Sequence, residues 1–192
     1  MVKLGKDFYL QGEVVSIAKQ LLGKALCTKF NGVLTAGIIT ETEAYAGTTD
    51  KASHAYFGRR TKRTEVMFAE GGVAYIYLCY GIHHLFNIVT NQKDIPHAIL
   101  IRAIQPKEGI DLILKRRNKK TLDKAISAGP GTVSQALGIK TTQTGTSLLG
   151  SKIWLQDLGI KIPEKDITVG PRIGVDYAKE DSLLPYRFVA AL

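Results

Sequence analysis

The spacing of apolar positions divides the chain into short elements of both kinds. Val14, Val15, Ile17, Ala18, Leu21 and Leu22 recur at the three-and-four spacing of a helical face and Gly23 follows as a stop, which predicts an amphipathic helix over Glu13–Leu22. Ala25–Phe30 and Val33–Glu43 read as strands flanking Asn31-Gly32, a pair that accepts positive φ at both positions and so marks a two-residue hairpin. A long polar stretch, Ala46–Thr64, comes next, and loops of that length without a pattern of their own are functional or disordered; the functional reading is preferred. Val73–Thr90 is aromatic and β-branched with a break at Tyr80-Gly81, which predicts a second hairpin with a tyrosine near its tip. Ala98–Ile104 predicts a buried strand, Lys107–Lys119 a helix with a basic side, and Gly129-Pro130 up to Gly138 a short helix with proline in its first turn. Residues 140–150, rich in threonine and glycine, predict a loop or local flap, and short closing strands are expected around Ile153, at Arg172–Val175 and at Arg187–Val189. Strands grouped before and after helices, without strand–helix–strand alternation, predict an α+β sheet fold in a single domain over residues 1–192.

At 192 residues and 45% hydrophobic content the chain can bury a core without cross-links. No apolar run approaches the roughly 20 residues of a membrane span, and the first thirty residues lack a secretory pattern, so a cytosolic protein with no membrane partner is expected. Cys27 and Cys79 lie far apart and outside any C-x-x-C pattern, which favours buried free thiols over a disulfide or a thiolate metal site. The net charge changes the picture more. Twenty-six basic against 17 acidic residues leave +9, and the excess gathers in Arg59, Arg60, Lys62 and Arg63 and in Lys115–Lys124. Focused positive charge suits a polyanion such as a nucleic-acid backbone, although a solvated basic surface has the same composition.

Candidate chemistry is sparse. In Thr40-Glu-Thr-Glu-Ala-Tyr45, Glu41 and Glu43 are two apart and share one face of a strand, with Tyr45 just beyond its end. A carboxylate at a strand end is well held and reachable, while a solvated strand face is the plainer reading. Tyr75 and Tyr77 also share a face, and Tyr80 falls on a turn, where a bulky exposed ring suits insertion into a base stack. His54, His83, His84 and His97 fit no metal-binding spacing, and G-x-S-x-G and Walker-type loops are absent. No metal is expected, and His54 by itself reads as a surface or capping residue.

Glu41-Thr-Glu-Ala-Tyr45, with Ser53-His54-Ala55, Val66-Met67-Phe68, Tyr75 to Gly81 and Asn87, resembles the alkyladenine (3-methyladenine) DNA glycosylase family. The agreement continues in order through Leu100-Ile-Arg-Ala103, Gly129-Pro-Gly131, Gln135-Ala-Leu137, Arg172-Ile-Gly174 and Pro185-Tyr-Arg-Phe188, so it spans nearly the whole chain. The resemblance implies one mixed α/β domain around a curved, largely antiparallel sheet with flanking helices and a protruding hairpin. It implies Glu43 as the general base on water, with Arg102 and the carbonyl of Ile173 helping to place that water. Tyr45, His54 and Tyr77 resemble the base-gripping pocket, Asn87 the amide against the purine edge, and Tyr80 the residue that fills the gap left by a flipped nucleotide. Arg59, Lys62 and Arg63 fall where the family meets the DNA backbone.

On this reading the chain is a monofunctional enzyme that excises alkylated purines from double-stranded DNA. It needs no cofactor and no obligate protein partner, and monomer is the default. A glycosidic bond normally requires an acid on the leaving group as well as a base on water, but an alkylated purine is already cationic, so one carboxylate suffices. Three positions depart from the family pattern: Lys62 stands where proline is common, Thr132 where lysine is common and Ile82 where methionine is frequent. Two rivals remain, a non-catalytic nucleic-acid-binding module and a magnesium-dependent nuclease that would use Glu41, Glu43 and Asp50.

Overall fold

The computed structural model describes residues 2–191. In chain order the elements are β1 (Val2–Lys3), α1 (Lys6–Tyr9), α2 (Val14–Gln20), β2 (Ala25–Phe30), β3 (Val33–Tyr45), β4 (Val73–Cys79), β5 (His83–Thr90), β6 (His97–Glu108), α3 (Ile110–Arg117), α4 (Pro130–Leu137), β7 (Ile153–Asp157), β8 (Ile167–Gly170) and β9 (Arg187–Ala190). The strands form one α+β sheet in the order β1-β7-β2-β3-β6-β5-β4, with β9 paired to β3 and β8 to β9, and each pairing is antiparallel. Both predicted hairpins are present. Asn31-Gly32 takes φ of 51° and 79°, the geometry that matches strand twist in a two-residue loop, and Tyr80-Gly81 takes 51° and 74° in a three-residue loop between Cys79 and His83.

Strand β3 organises the sheet because it outlasts its neighbour. It is 13 residues long against six for β2. Pairing with β2 ends at Ile38, and β9 takes the freed edge at Glu41, Thr42 and Glu43. On the other edge β3 pairs with β6, but the register jumps: Ile39 faces Ile104, Glu41 faces Ala103 and Thr42 faces Ile101, which leaves Thr40 and Arg102 out of the ladder. Such bulges re-aim side chains next to functional sites.

The pleat gives the sheet two different faces. Ala44, Ala74, Ile76, Phe86, Ile88, Ile99 and Ile101 point to one side and pack with Ile17, Ala18 and Leu21 of α2 and Val133, Ala136 and Leu137 of α4. The Thr42 hydroxyl donates to the Ala18 carbonyl and ties β3 to α2. On the other face Tyr75, Val89 and Ala98 lie under Ala55, Met67 and Phe68 of the long loop, which folds over the sheet in short 3-10 turns at Gly47–Thr49, Tyr56–Gly58 and Glu65–Phe68. The threonine- and glycine-rich segment covers the outer edge of β4: the Ala74 amide donates to the Thr146 carbonyl and the Ile76 amide to the Thr144 hydroxyl.

Several expectations need correction. Arg172–Val175 is a loop rather than a strand, because the Arg172 guanidinium is drawn inward to Asp50 and Gly174 takes φ 74°. The expected helix from Lys107 begins only at Ile110. Gln105, Pro106 and Glu108 instead continue β6 by pairing with Ile38, Gly37 and Ala36. Tyr45 is the last residue of β3 rather than beyond it, and Cys79 is half-buried, where Cys27 is buried as expected. The helix after Gly129 has the predicted limits, with Pro130 at its start and Gly138 at φ 71° as its stop.

Gly109 makes the turn from β6 into α3 at φ 69°, and a Cβ there would lie 2.4 Å from the Leu34 carbonyl oxygen. Gly32 has φ 79° with open space around it. Gly109→Ala is therefore expected to lower unfolding free energy by about 2–4 kcal/mol and Gly32→Ala by about 1 kcal/mol, the difference being steric overlap beyond the left-handed cost itself. Urea unfolding of the two variants checks this, and equal losses would refute it.

Candidate active site

One row of residues crosses the sheet at the same height. Tyr75 of β4 faces Asn87 of β5, which faces Leu100 of β6, which faces Glu43 of β3, which faces Arg187 of β9. One pleat to one side of this row Tyr77 faces Leu85, and one pleat to the other side Tyr45 faces Ala98. Directly opposed residues share a face, so alternation alone gathers these side chains on the side away from α2 and α4. With the long loop above them they enclose a cavity of about 280 Å³ whose lining includes Tyr45, His54, Tyr77, Tyr80, Asn87, Arg102 and Ile173. That volume lies just under the roughly 300–1,000 Å³ of small-molecule sites and suits a single heterocycle.

Glu43 lies beneath this lining with no exposed surface. A buried carboxylate must be compensated, and three donors meet it. The Ile173 amide donates to Oε1 at 2.8 Å, the Tyr45 hydroxyl to Oε2 at 2.8 Å, and Arg102 Nη1 lies 3.4 Å from Oε1. The Ile173 N–H thus holds the carboxylate itself, a contact distinct from the one the resemblance implies between its carbonyl and water. Burial pushes the Glu43 carboxyl above its ordinary range, with Arg102, the Ile173 amide and Tyr45 opposing that rise and Glu41 adding to it. Glu41 in turn accepts from Arg102 Nε at 2.9 Å and Arg187 Nε at 2.7 Å. The bulge at Arg102 lets one guanidinium serve both carboxylates.

His54 is placed by a contact that sequence reasoning missed. Its Nδ1 lies 2.7 Å from the Tyr75 hydroxyl, and its ring meets the Tyr77 ring edge-on at 4.6 Å. Burial, with the Arg63 and Arg59 charges nearby, lowers the imidazole to about 4, while burial pushes the Tyr75 phenol up to about 12. At neutral pH both groups are therefore uncharged and share one hydrogen bond that fixes the ring. Asn87 is fixed just as firmly: its Nδ2 donates to the carbonyls of Tyr75 and Leu85, both at 3.2 Å. The one sequence signal for Tyr75 was that it shares a face with Tyr77.

A second missed pair holds the loops together. Arg172 and Asp50 form a buried ion pair with side chains 0% and 1% exposed. Arg172 Nη2 donates to Asp50 Oδ1 at 2.8 Å and Nη1 to the Ala44 carbonyl at 2.9 Å, and the guanidinium lies 4.8 Å from the Tyr45 ring centre and 5.2 Å from that of Tyr186. Asp50 also accepts from the amides of Ala46 and Ala52. One contact set thus fixes the loop before His54, the loop that carries the Ile173 amide and the back of Tyr45.

The basic residues divide by role. Arg60 pairs with Glu65 and Asp94, and Arg116 and Arg117 turn inward to the carbonyls of Ala136 and Ile126. Arg59, Lys62 and Arg63 are exposed and make no side-chain ion pair or hydrogen bond among the described residues. Ile82 stands exposed beside Tyr80, and the Thr132 hydroxyl bonds the Gly129 carbonyl. Glu41, Glu43 and Asp50 are each held by arginine, and among the described residues no three metal-ligating side chains come together, which weighs against the nuclease reading.

A sequence model of the methylpurine-DNA glycosylase family matches residues 7–191. Curated relatives provisionally named 3-methyladenine DNA glycosylase agree along nearly the whole chain. One from Chlamydia felis is 46% identical over 97% of this chain and 95% of its own length, one from Clostridium perfringens 42% over 97% and 95%, and one from Bacillus cereus 44% over 95% and 92%.

Asp50→Asn strips the counter-charge from a buried guanidinium and is expected to cost about 3–5 kcal/mol of unfolding free energy, read as a fall in urea midpoint; a loss below about 1 kcal/mol would contradict the role given to this pair. The His54 imidazole is neutral in the fold down to about pH 4, while the unfolded chain takes up that proton near 6.5. The unfolded state thus binds more protons between those values, so this contribution to stability declines as pH falls from about 6.5 to about 4. Urea midpoints at pH 7 and pH 5 should differ less in His54→Gln than in the native chain.

Proposed function

This chain belongs to the methylpurine-DNA glycosylase family, and from that premise we propose that it flips an alkylated purine out of duplex DNA and hydrolyses its bond to deoxyribose. The observation that carries the reading is the meeting of an aromatic cavity sized for one heterocycle with a buried carboxylate gripped by three donors just beneath it. Tyr45, Tyr77 and His54 present rings to the base. Electron-rich faces attract a cationic purine more than a neutral one, by about 0.5–2 kcal/mol per contact. Asn87, with its amide plane fixed by two carbonyls, forms a rigid wall that an added substituent on a normal purine would strike.

In the reaction the purine takes the electron pair of the glycosidic bond and leaves neutral, so no acid is required on it. A water oxygen bonds to the anomeric carbon of the oxocarbenium-like sugar and its proton passes to Glu43, which leaves an abasic site with a free hydroxyl. The Tyr45 hydroxyl takes one lone pair of Glu43 Oε2 and leaves the carboxylate further acceptor capacity for the water. No lysine attacks the sugar and no strand is cut. Arg59, Lys62 and Arg63 meet phosphates, and Tyr80 fills the gap in the stack. The chain acts as a monomer.

Glu43→Gln keeps a group of the same shape against the Ile173 amide and is expected to fold with a Tm no lower than the native chain. Release of free base from alkylated duplex in chelator should fall about a hundredfold or more, while affinity for an abasic-analogue duplex persists. Equal release by both chains, or DNA binding with no release by either, would sink the proposal. The base must be ionised, so single-turnover release should rise with pH through a limb above the ordinary glutamate range and then level off. Arg102→Met removes the largest influence opposing that rise, so its limb should move to higher pH.

A further inference from the structure

Two aromatic side chains stand 90% exposed, Tyr80 at the tip of the β4–β5 hairpin and Phe57 in the loop that covers the cavity. Their backbones are alike. Tyr80-Gly81 takes φ of 51° and 74°, and Phe57-Gly58 takes 57° and 74°. Left-handed geometry suits glycine or asparagine and is strained for a bulky residue; such strain gathers at ligand clamps. Phe57 gains little inside the fold in return, since its nearest aromatic neighbour is Tyr56 at 6.2 Å between ring centres. A phenyl ring held out at positive φ is thus explained only by something outside the chain.

Its surroundings say what that is. Phe57 is three residues after His54, whose ring lines the cavity, and two before Arg59. Arg59 and Arg63 are exposed in the same loop, and their charges bear on the imidazole. Among the described residues neither makes a side-chain ion pair or hydrogen bond, and the same holds for Lys62 in the same loop. An apolar ring projecting among unpaired cations beside a base-sized cavity matches a nucleic-acid strand, whose phosphates meet the cations while its sugars and base faces meet the ring.

Resting on the DNA reading above, we propose that Phe57 is a second aromatic contact with the duplex, packed on the sugar and base edge of a nucleotide next to the extruded one. Tyr80 and Phe57 then hold the DNA on either side of the cavity mouth. A phenyl ring displaces no counterions, so its contribution to affinity does not depend on salt, unlike that of the arginines around it.

Phe57→Gly suits the left-handed backbone, so the variant should fold with a Tm at or above the native value. Its affinity for a duplex carrying an abasic analogue should drop at least threefold, with the slope of log K against log salt unchanged. Phe57→Tyr should restore affinity, and Arg63→Gln should reduce the slope by about one phosphate contact. Phe57→Trp adds a reporter whose emission should be quenched by the duplex beyond the change seen for Trp154 in the native chain. A loss smaller than threefold in Phe57→Gly, a loss that comes with a changed salt slope, or an unquenched Phe57→Trp would each overturn the contact. Failure of the native chain to bind DNA would instead remove the reading on which it rests.

Discussion

A carboxylate with no exposed surface in the middle of a sheet is the constraint around which this structure is arranged. Leaving such a charge uncompensated would cost several kcal/mol, and the donors that prevent this come from three places in the chain. Arg102 reaches Glu43 because β6 is bulged beside β3. The Ile173 amide reaches it because Arg172, next along the chain, is anchored on Asp50. Tyr45 reaches it from the same strand, with its ring backed by that same arginine. Disturbing any of these changes the proton affinity of Glu43, so the stability of the site and its acid–base behaviour rest on the same contacts.

The sheet contributes by sorting. Alternation along β3, β4, β5 and β6 sends isoleucine, phenylalanine and alanine to the helices and tyrosine, asparagine and glutamate to the opposite side, and the bulge in β6 adds Arg102 to that side. The polar face is not left to water, because the loop after β3 lies over it and contributes Ala55, Met67 and Phe68 as a second, smaller core. Placing the site between two packed layers keeps the aromatic rings and Asn87 in fixed orientations, which is what discrimination among similar heterocycles requires.

Charge is sorted as well. The two basic segments look equivalent along the chain, yet Arg116 and Arg117 turn to backbone carbonyls and knit α3 to α4, while Arg59, Lys62 and Arg63 remain at the surface by the cavity. Only Arg59, Lys62 and Arg63 of these keep their charge free of internal partners among the described residues. Phe57 and Tyr80, the two most exposed aromatic rings, both stand at positive φ.

Elements set by local chemistry were legible in the amino-acid sequence. Asn31-Gly32 is a turn whose φ angles few other pairs tolerate, Gly81 breaks the aromatic run of the second hairpin, Pro130 and Gly138 bracket a helix, and the 2- and 3.6-residue periods separate β2–β5 from α2. The order of motifs from Glu41 to Phe188 carried the family and, through it, most of the residues that line the cavity. The Asp50–Arg172 clamp, the Tyr75–His54 bond, the Arg187–Glu41 contact and the continuation of β6 through Pro106 left no such trace. They join positions 122, 21 and 146 residues apart, or follow from a bulge that shifts register by one residue. Periodicity and propensity describe what a segment does with its own neighbours. A guanidinium's choice between solvent and a distant carboxylate depends on which strands have been brought together, and long-range pairing is what decides that.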